Sequence, residues 1–197
     1  RQRQMCIRDR QRACLGHVLA RAQSPRRRTL VAVAPDESMG DFQGWLGDAV
    51  ELWPQGAGDL GTRLARAASR AFAAGAPAVL FLGADSPTLP WQMLEEIPAV
   101  LRDHDAVIGP CADGGYYAIA LAADHPALFE NIAWGSSAVS EQTRHQAAAA
   151  GLRLAELPPG YDLDRVADLH RAVADLDRAG ETGPLSKTLR RILATIS

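Results

Sequence analysis

Four short turn-rich segments hold the residue types that could do chemistry: "QGAGDLGTR" at 55–63, "GADSP" at 83–87, "CADGGYY" at 111–117 and "YDLD" at 161–164. They supply the carboxylates Asp59, Asp85, Asp113, Asp162 and Asp164, with glycines that let backbone approach a ligand. Read as carboxylates without histidine or thiolate, the set suits a hard divalent cation, Mg²⁺ or Mn²⁺. Such an ion keeps waters and is completed by substrate phosphates. The chemistry implied is attack on a nucleotide-linked phosphate or sugar, the metal neutralising the departing diphosphate. Each piece also has a plainer reading. Asp85, ahead of Ser86-Pro87, could make an Asx-turn. Asp59 and Asp164 could be helix N-caps, and Asp113-Gly114-Gly115 an ordinary tight turn. Of Tyr116 and Tyr117 at least one belongs in a core, and Trp134 could simply plug a sheet edge.

The elements that must position these residues alternate. Strands are expected at 29–35, 50–54, 78–83, 105–110, 116–121 and 152–158. Helices are expected at 12–21, 59–74, 138–150, 164–178 and 186–196, and another is expected after Thr88, with Pro90 in its first turn. Strand–helix alternation implies an α/β three-layer sandwich with a mostly parallel sheet. The apolar run "AVLFLG" reads as a strand covered on both faces, so Asp85 leaves the sheet at its carboxyl edge, where open α/β folds bind ligands. Segments 29–34, 50–53, 78–83, 105–109 and 116–121 are expected in one sheet, with 78–83 inside it. Asp85 and Asp164 should then share one ion, and strand alternation would turn Asp162 away.

Composition narrows the classes. A chain of 197 residues, 47% hydrophobic and 22% charged, suits one globular domain. A net charge of −2 gives no surface for nucleic acid. No stretch is long enough to span a membrane. Cys6, Cys14 and Cys111 show neither metal-ligand spacing nor a disulfide framework, which fits a reducing, cytoplasmic setting. The five histidines are scattered, and most read as surface residues rather than as ligands. Neither Ser86 nor Ser136 lies in a GxSxG elbow, against a serine hydrolase. The opening "RQRQMCIRDR" has no apolar period, so residues 1–11 are expected to be a non-native or disordered segment ahead of a single domain at 12–197.

From "RACL" at 12 to "ADL" at 169 the chain resembles the DUF2064 family, nucleotide-diphospho-sugar transferase-like proteins of the GT-A type that include proteins tied to arsenosugar biosynthesis. The resemblance is carried by "QGAGDLGTRLARA", "LFLGADSPTL", "DGGYYAIAL", "AWGSSAV" with Thr143, and "YDLDRVADL". It implies Asp85 as the metal-binding aspartate ending the central strand and Asp164 as the second, with Asp113 as a further catalytic carboxylate. It also implies that Gln55 and Leu60-Gly61-Thr62 read the nucleotide, and that Gly114, Gly115, Tyr116 and Trp134 line the sugar or acceptor side. The implied activity is metal-dependent transfer of a sugar from a nucleotide-diphospho-sugar to a small acceptor. A nucleotidyltransferase releasing pyrophosphate is the alternative, and a non-catalytic fragment or binding domain a second. Two features depart from the family pattern. Ala167 stands where a glutamate is usual, and the first strand, with its basic glycine-containing loop, has no counterpart before Arg12, so the resemblance implies a GT-A-like fold lacking its first strand.

Overall fold

The computed structural model describes residues 2–89 and 91–196. Its helices are α1 (Gln2–Ala22), α2 (Met39–Leu46), α3 (Leu60–Ala73), α4 (Trp91–Val100), α5 (Val139–Ala149), α6 (Val166–Arg178) and α7 (Pro184–Ile196). Its strands are β1 (Leu30–Val33), β2 (Glu51–Pro54), β3 (Val79–Leu82), β4 (Ala106–Pro110), β5 (Tyr116–Leu121) and β6 (Leu154–Glu156). Pro90, expected in the first turn of α4, lies outside the described residues.

The expected α/β class is what the chain adopts. β3, β5, β4 and β6 form one sheet in that order. One face, lined by Leu80, Leu82, Val107, Ala118 and Ala120, is covered by Leu94 and Ile97 of α4. The other, lined by Phe81, Ala106, Ile108, Ile119 and Leu121, is covered by Ala68 of α3, Leu128, Phe129 and Ala147 of α5. Helices on both faces explain why these strands read as continuous apolar runs rather than as alternations.

The expectation of one sheet fails. β1 and β2 pair in parallel as a separate two-stranded sheet, and β3 is an edge strand rather than an interior one. β5 runs antiparallel to both β3 and β4, while β4 and β6 are parallel. The short turn 111–115 between β4 and β5 cannot carry a crossover, so that pair must be antiparallel. Apolar periodicity states which segments are strands but not which edges meet.

Two helices differ from expectation. α2 was not anticipated; its Met39, Phe42 and Leu46 recur at helical spacing and pack with Val31, Val33 and Val50 beside β1 and β2. α1 begins at Gln2, so residue 11 is not an element boundary. Its second half is anchored by Cys14, buried among α6 and α7, and by Leu19 on β1. Asp9, in its first half, pairs with Arg191 of α7 at 2.9 Å. A helix nucleated by such packing extends at little further cost.

Candidate functional site

The ends of β3, β4 and β6 and the start of β5 meet at one edge of the four-stranded sheet, and three of the four turn-rich segments converge there. Pairing of β4 with the chain after β6 continues past the strands: Gly160 donates to Pro110 O at 2.8 Å and Ala112 N to Gly160 O at 3.3 Å. This carries "YDLD" alongside "CADGG". Leu163, fully buried among α1, α6 and α7, pins the loop, and its N–H donates to Asp85 O at 3.1 Å. The loop therefore closes over the end of β3.

That anchoring decides which aspartate turns inward. Residues 161–164 are not strand, so alternation does not apply and Asp162 does not point away as expected. It accepts a hydrogen bond from the fully buried Ser86 and a weak one from Cys111 Sγ at 3.5 Å. Cys111, Asp113 and Asp162 offer ligand atoms that all lie within 4.8 Å of one another, a grouping that could hold a metal ion. The thiol escaped the sequence reading because its partner is 51 residues away; a cysteine two residues before an aspartate carries no spacing signal. Asp85 and Asp164 are not members of this grouping, but they sit on the same side. Burial raises the pKa of Asp85, and the charges of Asp162 and Asp164 raise it further. Burial also raises Asp162; the hydrogen bonds from Ser86 and Cys111 oppose this, and Asp113 and Asp164 add to it. The Cys111 thiol is pushed up by burial and by Asp162. Two neighbouring carboxylates, Asp85 and Asp162, are thus both raised, first by burial and then by like charge nearby, a pattern that occurs at functional sites.

The plainer readings divide. An Asx-turn on Asp85 would need the N–H of residue 87, which is proline, so that turn has no donor. Asp164 is exposed and does not cap α6; the N-cap is Arg165, whose N–H is received by Asp168 at 2.7 Å. Asp113 does make a tight turn, accepting from Gly115 N at 3.0 Å. Gly114, at φ +93°, lies against Ser137, whose carbonyl leaves no room for a Cβ.

The segment expected to read a nucleotide is largely engaged with the protein. Asp59 caps α3, accepting from Thr62 N at 2.8 Å and from Thr62 Oγ1 at 2.6 Å. Gln55 Nε2 donates to Ala32 O at 3.0 Å, while its Oε1 accepts from Arg63 at 3.4 Å. Gly61 is buried, and a Cβ there would lie 2.5 Å from both Phe129 O and Trp134 Nε1. Leu60, at 47%, and Thr62 are exposed. Trp134 and Tyr116 pack edge to face at 6.2 Å beneath the loop 131–138, Tyr116 in the sheet's α3 face. Tyr117 is the more deeply buried of the pair and donates to Pro158 O at 3.0 Å. Trp134 thus joins Gly61 to Tyr116, and Ser137 joins the same loop to Gly114, so "LGT", "AWGSS" and "DGGYY" form one packed unit beside the acidic edge.

A search of the curated proteins finds no match. Among solved structures, the chain is similar to a "putative nucleotide-diphospho-sugar transferase" from Desulfovibrio desulfuricans G20, with 28% identity and a TM-score of 0.79. The similarity covers 97% of this chain and 84% of that one. Residues 17–136 match the family described as "Uncharacterized protein conserved in bacteria (DUF2064)", a span that holds β1 to β5 and the Asp85 and Asp113 turns. With more than half of its length matched, the chain belongs to the DUF2064 family.

Proposed function

We propose that this chain is a metal-dependent glycosyltransferase that takes a sugar from a nucleotide-diphospho-sugar to a small acceptor in the cytoplasm. The observation that carries the reading is the meeting of Asp85, Asp113 and Asp162 at one edge of the sheet, in a chain built like the Desulfovibrio protein. Asp113 and Asp162 would hold Mg²⁺ or Mn²⁺ through hard oxygen donors, and Asp85 and Asp164 would add to the negative field that draws the ion in. Bound there, the ion would neutralise a leaving nucleoside diphosphate. Ser86 fixes the Asp162 carboxylate by hydrogen bond. Leu60 and Thr62, exposed at the start of α3, would meet the nucleotide, with Gln55 and Gly61 shaping that segment from behind. Gly114 and Gly115 would line the sugar side, with Tyr116 and Trp134 supporting them. Among the described residues no helix is long and apolar enough to cross a membrane.

Two measurements test the reading. Incubation with nucleotide-diphospho-sugars and Mn²⁺ should release free nucleoside diphosphate; release of pyrophosphate from a nucleoside triphosphate and a phosphorylated acceptor would assign a nucleotidyltransferase instead. Mn²⁺ with a nucleoside diphosphate should raise the melting temperature of the wild type, by an amount that corresponds to about 2.7 kcal/mol at a hundredfold excess over Kd. Asp85→Asn keeps shape and hydrogen bonding but removes the charge. It should reduce that rise, and an unchanged rise would remove Asp85 from the metal's surroundings.

A further inference from the structure

The grouping at the acidic edge contains an atom that a magnesium site does not use. Cys111, Asp113 and Asp162 offer ligand atoms within 4.8 Å of one another, and one of these atoms is sulfur. The set is graded by depth: Cys111 is buried, Asp162 half-buried and Asp113 exposed. The sulfur thus lies at the bottom, and the group opens to solvent on the Asp113 side.

The backbone that carries these ligands is held from both flanks. Cys111 N donates to Gly115 O at 2.9 Å and Cys111 O accepts from Gly114 N at 3.1 Å, which closes the turn bearing Asp113. On the other flank Cys111 bridges in parallel to Gly160, which keeps the loop of Asp162 beside it. Tyr117 lies against Gly109 and Gly160, at each of which a Cβ would come within 2.4 Å of its ring. Each carboxylate is then oriented through one oxygen and keeps the other. Asp162 Oδ1 accepts from Ser86 Oγ and Cys111 Sγ, and Asp113 Oδ1 accepts from Gly115 N at 3.0 Å. Among the described residues, Oδ2 of neither aspartate accepts a hydrogen bond. A plainer role for Cys111 is that of a small apolar filler among Leu89, Leu94 and Tyr117. That role gives no reason for the sulfur to face a carboxylate at 3.5 Å.

Metal bonds of about 2.0–2.3 Å place any two donors of one ion within about 4.6 Å of each other. The grouping therefore closes on an ion with small side-chain movements. Three protein ligands with a position left open is the count of catalytic rather than structural zinc sites. Mg²⁺ demands oxygen donors in a near-ideal octahedral array, whereas Zn²⁺, Co²⁺ and, less strongly, Mn²⁺ accept sulfur. We infer that Cys111 is the third protein ligand of this site, beside Asp113 and Asp162, and that the site selects Zn²⁺ or Co²⁺, then Mn²⁺, over Mg²⁺. The inference rests on the metal site of the proposed transferase and narrows the ion it holds. On coordination the sulfur gives its electron pair to the ion and its proton to solvent. The open position is left for a phosphate oxygen of the substrate.

Metal binding without nucleotide tests it, so the outcome does not depend on the transfer reaction. Co²⁺ added to the wild type should produce a thiolate-to-cobalt charge-transfer band in the near ultraviolet. Cys111→Ser should lose that band, and Cys6→Ser should keep it. Loss of an outer partner of a metal ligand already costs about 10–100-fold in affinity, so Cys111→Ser should weaken Zn²⁺ binding by at least as much. Its Mg²⁺ binding should be nearly unchanged. X-ray absorption at the zinc edge of the wild type needs no variant and should show one sulfur at about 2.3 Å. A zinc shell without sulfur would overturn the inference and leave the carboxylate site of the proposed function standing. So would a Zn²⁺-over-Mg²⁺ preference that is unchanged in folded Cys111→Ser. Absence of any bound metal would overturn both.

Discussion

Asp162 shows how much a single loop residue depends on its surroundings. Its carboxylate is held by Ser86 and Cys111 and lies within the field of Asp113 and Asp164, and burial raises its pKa above the ordinary carboxylate range. A raised carboxylate penalises the folded state while it is ionised, and the penalty disappears as pH falls through the folded pKa. Asp162→Asn keeps an acceptor for Ser86 and removes the charge. The metal-free variant should therefore melt above the wild type at neutral pH, by roughly 2–4 °C for each kcal/mol of repulsion relieved. That difference should shrink on acidification as the wild-type group takes up its proton. Thermal melts of both proteins across the acid range read this directly, and a gain that grows toward low pH would contradict it.

At the scale of elements, α3 illustrates a helix whose limits are written locally. Asp59 accepts from both Thr62 N and Thr62 Oγ1 at its start, and Gly75, at φ +85°, donates to Phe72 O at its end. Asp59→Ala removes the cap and should cost about 1 kcal/mol. Asp59→Asn, which caps equally well, should cost little. Comparison of their denaturation midpoints separates a cap from a residue whose charge is needed, because a catalytic or metal-binding Asp59 would lose ligand-induced stabilisation in the asparagine variant too. α2 illustrates the converse. Its eight residues lie between a proline and a glycine, and its periodicity becomes apparent only beside Val31, Val33 and Val50.

At the scale of the whole molecule, His17 joins three parts of the chain. It lies on α1, meets the Trp91 ring of α4 at 6.1 Å, and has its Nε2 3.6 Å from Glu181, between α6 and α7. Arg21, on the same helix, pairs with the same glutamate. Burial lowers the His17 pKa, Glu181 opposes this, and Arg21 adds to the lowering. The unfolded chain therefore takes up this proton first: the stability is complete above the ordinary value near 6.5 and is lost as pH falls below it. His17→Gln should flatten that part of the stability–pH curve, measured by urea unfolding; an unchanged slope would assign it to other groups.

The sequence marks neither His17, one of five scattered histidines, nor Cys111, a cysteine without metal-ligand spacing. Both silences have one cause: what surrounds these residues comes from segments 51 to more than 160 residues away. The sequence by itself determined what depends on neighbours a few positions apart. That includes the strands, the cap at Asp59, the α/β class, and the placing of Asp85 and Asp113 in turns just after strands. Only the tertiary structure decided which strand edges meet, that β3 stands at an edge, and that Asp162 rather than Asp164 turns inward beside Cys111. Periodicity is a local record of burial, whereas sheet order and the facing of a loop carboxylate follow from long-range packing, here from one leucine, Leu163, buried among three helices.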